Sequence, residues 1–197
     1  MNNAENSSMS FSVVAQEHLG HDQIDFNGLD PRFRRATPNM IASTMVCEKI
    51  LNNKKPKNLS IIYATHFGEI AASADYLLSL EKENLAKPIL FQNSLHNSTL
   101  GFLCIALGQK GPALTISADQ HMNQAIADAA DGLACISDSI LICLSDSVPP
   151  NFEKSYSEIF SHIRHNFNKS SAFLFEKQTN IDSESIPAAA WRNIKFY

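Results

Sequence analysis

Residues 97–134 read NSTLGFLCIALGQKGPALTISADQHMNQAIADAADGLA. The segment predicts a helix closed by Gly108, a turn at Gly111–Pro112, a strand over Ala113–Ala118, a sharp elbow and a second helix. A strand that runs straight into a helix can mount a reactive side chain. The helix N-terminus supplies unpaired N–H groups and a partial positive charge at that point. A cysteine placed there would have a lowered pKa and be reactive. This chain has Asp119, Gln120 and His121 at the elbow. The shape is that of an active site, but no nucleophile occupies it.

Working outward, strands are expected at Phe11–Ala15, Leu59–Ala64, Ser139–Leu144 and Ala172–Glu176. The LSIIYA and SILICL runs carry the β-branched and apolar content of buried strands. Helices are expected at Asn39–Leu51, Ile70–Glu83, His96–Leu107 and Asn123–Ile136, with a further one across Tyr156–Phe167. Residues 18–38 read as loop, and Pro88 punctuates the chain after the second helix. Strands alternating with helices indicate an α/β class with a mixed, mostly parallel sheet and flanking helices. Three regions follow: a flexible N-terminus over 1–10, one domain over 11–178, and a tail over 179–197 that ends AAAWRNIKFY.

At 197 residues, 44% hydrophobic and 18% charged, the chain suits one domain with a sizeable core. A net charge of -4 gives no general attraction to nucleic acid or to anionic membranes. Arg32, Arg34 and Arg35 form one local basic cluster, and Lys54, Lys55 and Lys57 another that reads as solvated surface charge. No apolar run approaches the ~20 residues that a membrane span needs. The N-terminus MNNAENSSMS lacks the basic and apolar regions of a secretory signal. Cys47, Cys104, Cys135 and Cys143 show no metal spacing, and all sit in apolar segments. Buried, reduced thiols in a cytoplasmic protein are expected.

The inventory of chemistry is short. No G-x-S-x-G elbow, G-x-G-x-x-G turn or P-loop is present, so neither a serine nucleophile nor a nucleotide cofactor is indicated. His162 and His165 stand at i, i+3 without an acidic or thiol partner at useful spacing, and no metal site is expected. Cys104 lies mid-helix among Leu103, Ile105 and Leu107, where packing is the simpler role. Ser145, Asp146 and Ser147 follow a strand and could line a crevice at its carboxyl end.

The pattern Asn97-x3-Gly101-x6-Gly108-x2-Gly111-Pro112, followed by ALTISA, resembles the N-terminal half of a β-ketoacyl synthase. LDPRFRRATPNM, IIYATHFGEI, LFQNSLHN, SILICLSDSVP and SAFLFEK resemble segments of a divergent family of short synthase-like chains. The resemblance covers roughly residues 11–178. It implies the N-terminal half of the thiolase-like (ketosynthase) fold, with the C-terminal half absent. In the family the strand at Ala113–Ala118 delivers a catalytic cysteine to the start of a buried helix. Here that position falls on Asp119, or on Gln120 with a one-residue slip. A carboxylate suits a helix N-terminus but does not replace a thiolate in taking an acyl group. The two supporting histidines come from the C-terminal half in this fold, and this sequence stops before it.

The resemblance therefore implies a non-catalytic chain length factor of a heterodimeric ketosynthase, in a setting similar to aryl polyene synthesis. The implied partner is a catalytic ketosynthase subunit, with acyl carrier protein met indirectly. Residues implied at the acyl tunnel or partner interface are Thr99, Leu100, Leu103, Leu114, Ile116, His121, Met122 and Asn123. Two other classes remain: a scaffold without length control, and a standalone acyltransferase or hydrolase using Cys104 or His121. The Ala-rich helix over Gln124–Ala134 resembles the family's central helix, so one of its faces is expected to expose an apolar patch. Trp191, Phe196 and Tyr197 of the tail could cover it.

Overall fold

The computed structural model describes residues 10–52, 54, 56–118, 120–149, 152–159, 167–178 and 190–196. Five strands form one sheet: β1 (Phe11–Gly20), β2 (Leu59–Thr65), β3 (Ala113–Ser117), β4 (Ser139–Asp146) and β5 (Lys169–Lys177). Their order is β1-β5-β4-β2-β3. The β4/β2 and β2/β3 ladders are parallel, while β5 runs against both β1 and β4. Only β5 is therefore reversed, and the sheet is mixed but mostly parallel in direction.

Six helices flank it: α1 (Pro38–Leu51), α2 (Ile70–Glu83), α3 (Pro88–Asn93), α4 (Ser98–Leu107), α5 (Met122–Ala134) and α6 (Glu153–Ile159). Local chemistry marks their ends. Thr37 caps α1, its hydroxyl accepting the Met40 N–H at 3.2 Å, with Pro38 at the first helical position. Gly108 closes α4 in the left-handed conformation, φ +62°. Pro88 opens the short helix α3 instead of only breaking the chain, because the first turn of a helix does not need its missing N–H. The strand expected at Phe11–Ala15 continues to Gly20, since pairing with β5 extends it through Leu19↔Ser170. Of the helix expected at Tyr156–Phe167, residues 160–166, with His162 and His165, lie outside the described residues. No helix among the described residues is long and apolar enough to cross a membrane.

The two faces of the sheet carry separate cores. Ile61, Tyr63, Leu141, Cys143 and Leu174 pack against Val46, Cys47 and Ile50 of α1 and Leu100 and Leu103 of α4. Ile62, Ala64, Ile140, Ile142 and Phe175 pack against Met122, Ile126, Ala130 and Leu133 of α5. All eight residues of β4 are buried, as its central place requires.

The second core is completed by the tail. Trp191 is buried, its ring 4.9 Å from Phe11 and 5.7 Å from Phe175. Phe196 meets Phe173 at 5.3 Å. The Trp191 indole N–H donates to Asp131 Oδ1 at 2.8 Å, and the Asn123 carboxamide accepts the Phe196 N–H at 3.1 Å. Residues 190–196 thus lie beside α5 over β1 and β5. The expected apolar patch on α5 is not seen. Its outward positions Asn123, Gln124, Asp128 and Gly132 are exposed and polar or small, while its apolar face meets the sheet. The thiol expectation is also corrected in part. Cys135, just past the end of α5, is exposed, and Cys104 on α4 is half-buried at the margin of the first core.

Candidate functional site

β3 is the outermost strand. It pairs with β2 through Ile61↔Ala113 to Thr65↔Ser117, and no described strand pairs with its other edge. Leu114 and Ile116 share the α5 side, and Leu114 is 42% exposed. On the opposite side the Thr115 hydroxyl is buried without a hydrogen-bond partner. α4 packs against β3 and carries Ile105, 83% exposed. An edge strand presents a row of unpaired N–H and C=O groups, a template for pairing with another chain. After Ser117 the chain turns at Gln120 and His121, both exposed, into α5. His121 is the N-cap of α5, and its side chain makes no capping bond. Asp119 lies outside the described residues.

Beneath the elbow, the turn between β2 and α2 is pinned by one carboxylate. Asp146, buried at the end of β4, accepts from the Thr65 hydroxyl at 2.5 Å and from the His66 and Phe67 N–H groups at 3.0 and 2.9 Å. The His66 ring Nδ1 stands 3.3 Å from the same carboxylate. Gly68 follows with φ +58°, where an added Cβ would come within 2.8 Å of the His96 ring. Only glycine adopts that conformation freely and leaves room for the ring.

A second carboxylate, Glu69, is buried between this turn and α4 and bonds to the Thr99 hydroxyl. Burial is the main cause that lifts its pKa to about 7, against the lowering effect of hydrogen bonds from Thr99, Thr37 and Asn39. The Asn39 amide donates to the Tyr63 hydroxyl at 2.7 Å, which donates to the Ser145 carbonyl at 3.2 Å. The Ser145 hydroxyl donates to the Asn39 carbonyl, also bonds to Ser170, and Ser170 reaches the His21 ring at 3.3 Å. Asp146 and Ser145 stand on a strand end already marked by sequence. Glu69, Asn39, Tyr63 and His21 were missed, because no local pattern announces a buried polar group satisfied from distant elements.

The residues expected at the interface divide by burial. Thr99, Leu100, Leu103 and Met122 are buried in this chain's own cores and present no surface. Leu114, His121 and Asn123 are exposed around the β3 edge and elbow, with Ile116 half-buried beside them, and Gln120, expected at the vestigial nucleophile position, is exposed as well. Asn123 already holds the tail. Cys104 is half-buried, and burial raises its thiol pKa, which opposes a nucleophilic role.

A mixed five-stranded sheet with flanking helices and a strand-to-elbow-to-helix unit places the chain in the α/β class. The chain belongs to the β-ketoacyl synthase family: the model of the family's N-terminal domain matches residues 15–190. Similar solved structures include the following three. A ketosynthase (ApeO) in complex with its chain length factor (ApeC) from Xenorhabdus doucetiae matches at 16% identity and TM-score 0.67, over 85% of this chain and 79% of that one. The ishigamide ketosynthase/chain length factor matches at 11% identity and TM-score 0.63, over 79% of this chain and 49% of that one. AntDE:AntF, a type II polyketide synthase acyl-carrier protein in complex with its hexaketide-bound ketosynthase, matches at 14% and 0.56, over 77% and 45%. At these identities the likeness is one of fold, and in the last two the chain spans about half of the chain it matches. No curated protein sequence matches.

Proposed function

We propose that this chain is a non-catalytic, chain length factor-like subunit. It pairs with a catalytic ketosynthase through β3 and helps shape the acyl tunnel during fatty acid or polyketide elongation, of the aryl polyene type. The observation that carries the reading is the outer edge of β3, unpaired among the described residues and with half-exposed Leu114, beside an elbow whose described residues, Gln120 and His121, include no thiol. The solved ketosynthase/chain length factor pairs of similar fold support it. Acyl carrier protein is met only through the partner, and four free cysteines suit a cytoplasmic setting.

The mechanism is steric. Gln120 and His121 project from the elbow, while Met122, Thr99, Leu100 and Leu103 hold the elbow and α4 in place from the core. Each two-carbon unit must fit before the partner can condense the next. Overpacking costs ~1–3 kcal/mol, about a factor of five to more than a hundred in occupancy. Met122→Ala would also open a cavity in this chain's own core, so surface changes test the idea better.

The experiment is co-expression with a ketosynthase, followed by size-exclusion chromatography and product analysis. Leu114→Glu should abolish pairing and leave the monomer folded. Gln120→Trp should retain pairing and shorten the products. A soluble monomer with no affinity for any synthase overturns the reading, and unchanged product length with Gln120→Trp favours a scaffold. Turnover of acyl-carrier thioesters by the chain alone, lost on Cys104→Ser, would mark it as an acyltransferase or hydrolase.

A further inference from the structure

A cavity lies away from the β3 edge. It opens at the carboxyl ends of β1 and β4, between the starts of α1 and α2 and the short helix α3, with a volume of about 970 Å³. That is at the upper end of the roughly 300–1,000 Å³ typical of small-molecule sites. Its apolar lining is Phe26, Ala71, Ala72, Ile89, Leu90 and Val148.

Charge is distributed unevenly around it. Arg32 forms a bidentate pair with Glu48, and Arg192 pairs with Asp131. Arg34 and Arg35, in contrast, line the cavity, and neither guanidinium has a carboxylate partner among the described residues. The Arg35 carbonyl accepts from Asn93, which ties this basic wall to α3. Asp22 and Glu153 line the cavity too and also border a polar cleft with His18 and Lys169. Asp75 stands on α2. A guanidinium fork matches a carboxylate in shape and charge. The three acids of the lining, Asp22, Asp75 and Glu153, repel a polyanion, so the ligand that fits carries one small anionic group on an apolar body.

We infer that this cavity binds a long-chain carboxylate, a free fatty acid, with the carboxylate held by Arg34 and Arg35 and the chain laid across the apolar floor. The site stands independently of the β3 edge and of any ketosynthase partner.

The test is titration of the full chain with cis-parinaric acid, followed by fluorescence, with palmitate, hexadecanol and palmitoyl-CoA as competitors. Palmitate should displace the probe. Hexadecanol and palmitoyl-CoA should be weaker by about tenfold or more, because one lacks the carboxylate and the other brings phosphates to a cavity that also holds Asp22, Asp75 and Glu153. Arg34→Ala/Arg35→Ala should weaken palmitate to a similar degree, and Ile89→Trp should block the probe. All three positions are exposed, so circular dichroism and the unfolding midpoint should remain unchanged. Absence of displaceable binding overturns the inference. So does hexadecanol or palmitoyl-CoA competing as well as palmitate, or a double variant that binds like the parent.

Discussion

At the residue scale, two buried titratable groups act in opposite directions. The Glu69 pKa is lifted from 4.5 to about 7, so its stabilising, protonated form is fully present below 4.5 and is lost as pH rises through 7. The His21 pKa is lowered from 6.5 to about 4, chiefly by burial, so its contribution is present above 6.5 and is lost as pH falls through 4. Between these limits the two trends offset. Glu69→Gln should therefore gain stability over the parent by roughly 2 kcal/mol more at about pH 7 than at about pH 5, read by urea unfolding. A parallel loss at both values would show that Glu69 is ionised throughout. Asp146 is a different case. Asp146→Ala leaves the Thr65 hydroxyl and the His66 and Phe67 N–H groups without their shared acceptor, at a cost of about 3 kcal/mol. A change under about 1 kcal/mol would mean that water replaces it there.

At the element scale, the tail and β3 are the two segments whose roles depend on what covers them. Residues 190–196 are stitched to α5 through Asp131 and Asn123 and place two aromatic rings on the sheet. Trp191→Ala should cost about 3–5 kcal/mol, the range for deleting a large buried ring. An effect near zero in chemical denaturation would show the tail to be dispensable. β3 has the opposite character: no described strand pairs with its outer edge, and Leu114 is exposed there. In hydrogen exchange, amides of 113–117 that point away from β2 should exchange quickly in the isolated chain and slow markedly with a ketosynthase. Equal rates in both states would place the partner elsewhere.

At the scale of the whole molecule, the alternating elements, the glycine turn before β3 and the missing thiol were legible in the chain itself. LSIIYA, SILICL and the 97–134 segment carry local signals: hydrophobic period, β-branched content, and Gly and Pro at turns. These determined the α/β class, the elbow and its lack of a nucleophile, and they carried the resemblance to β-ketoacyl synthases. Only the tertiary structure decided which face each residue meets. It buried Thr99, Leu103 and Met122 inside this chain, left Leu114 at the edge, turned polar residues outward on α5 and laid Trp191 against Phe11. It also assembled Glu69, Asp146, Tyr63 and His21 into one buried network. The physical reason is range. Turns and strand or helix periodicity are set by neighbours a few residues apart, whereas burial and polar satisfaction are set by groups such as Asn39 and Ser145, 106 residues apart, that meet only when the sheet closes.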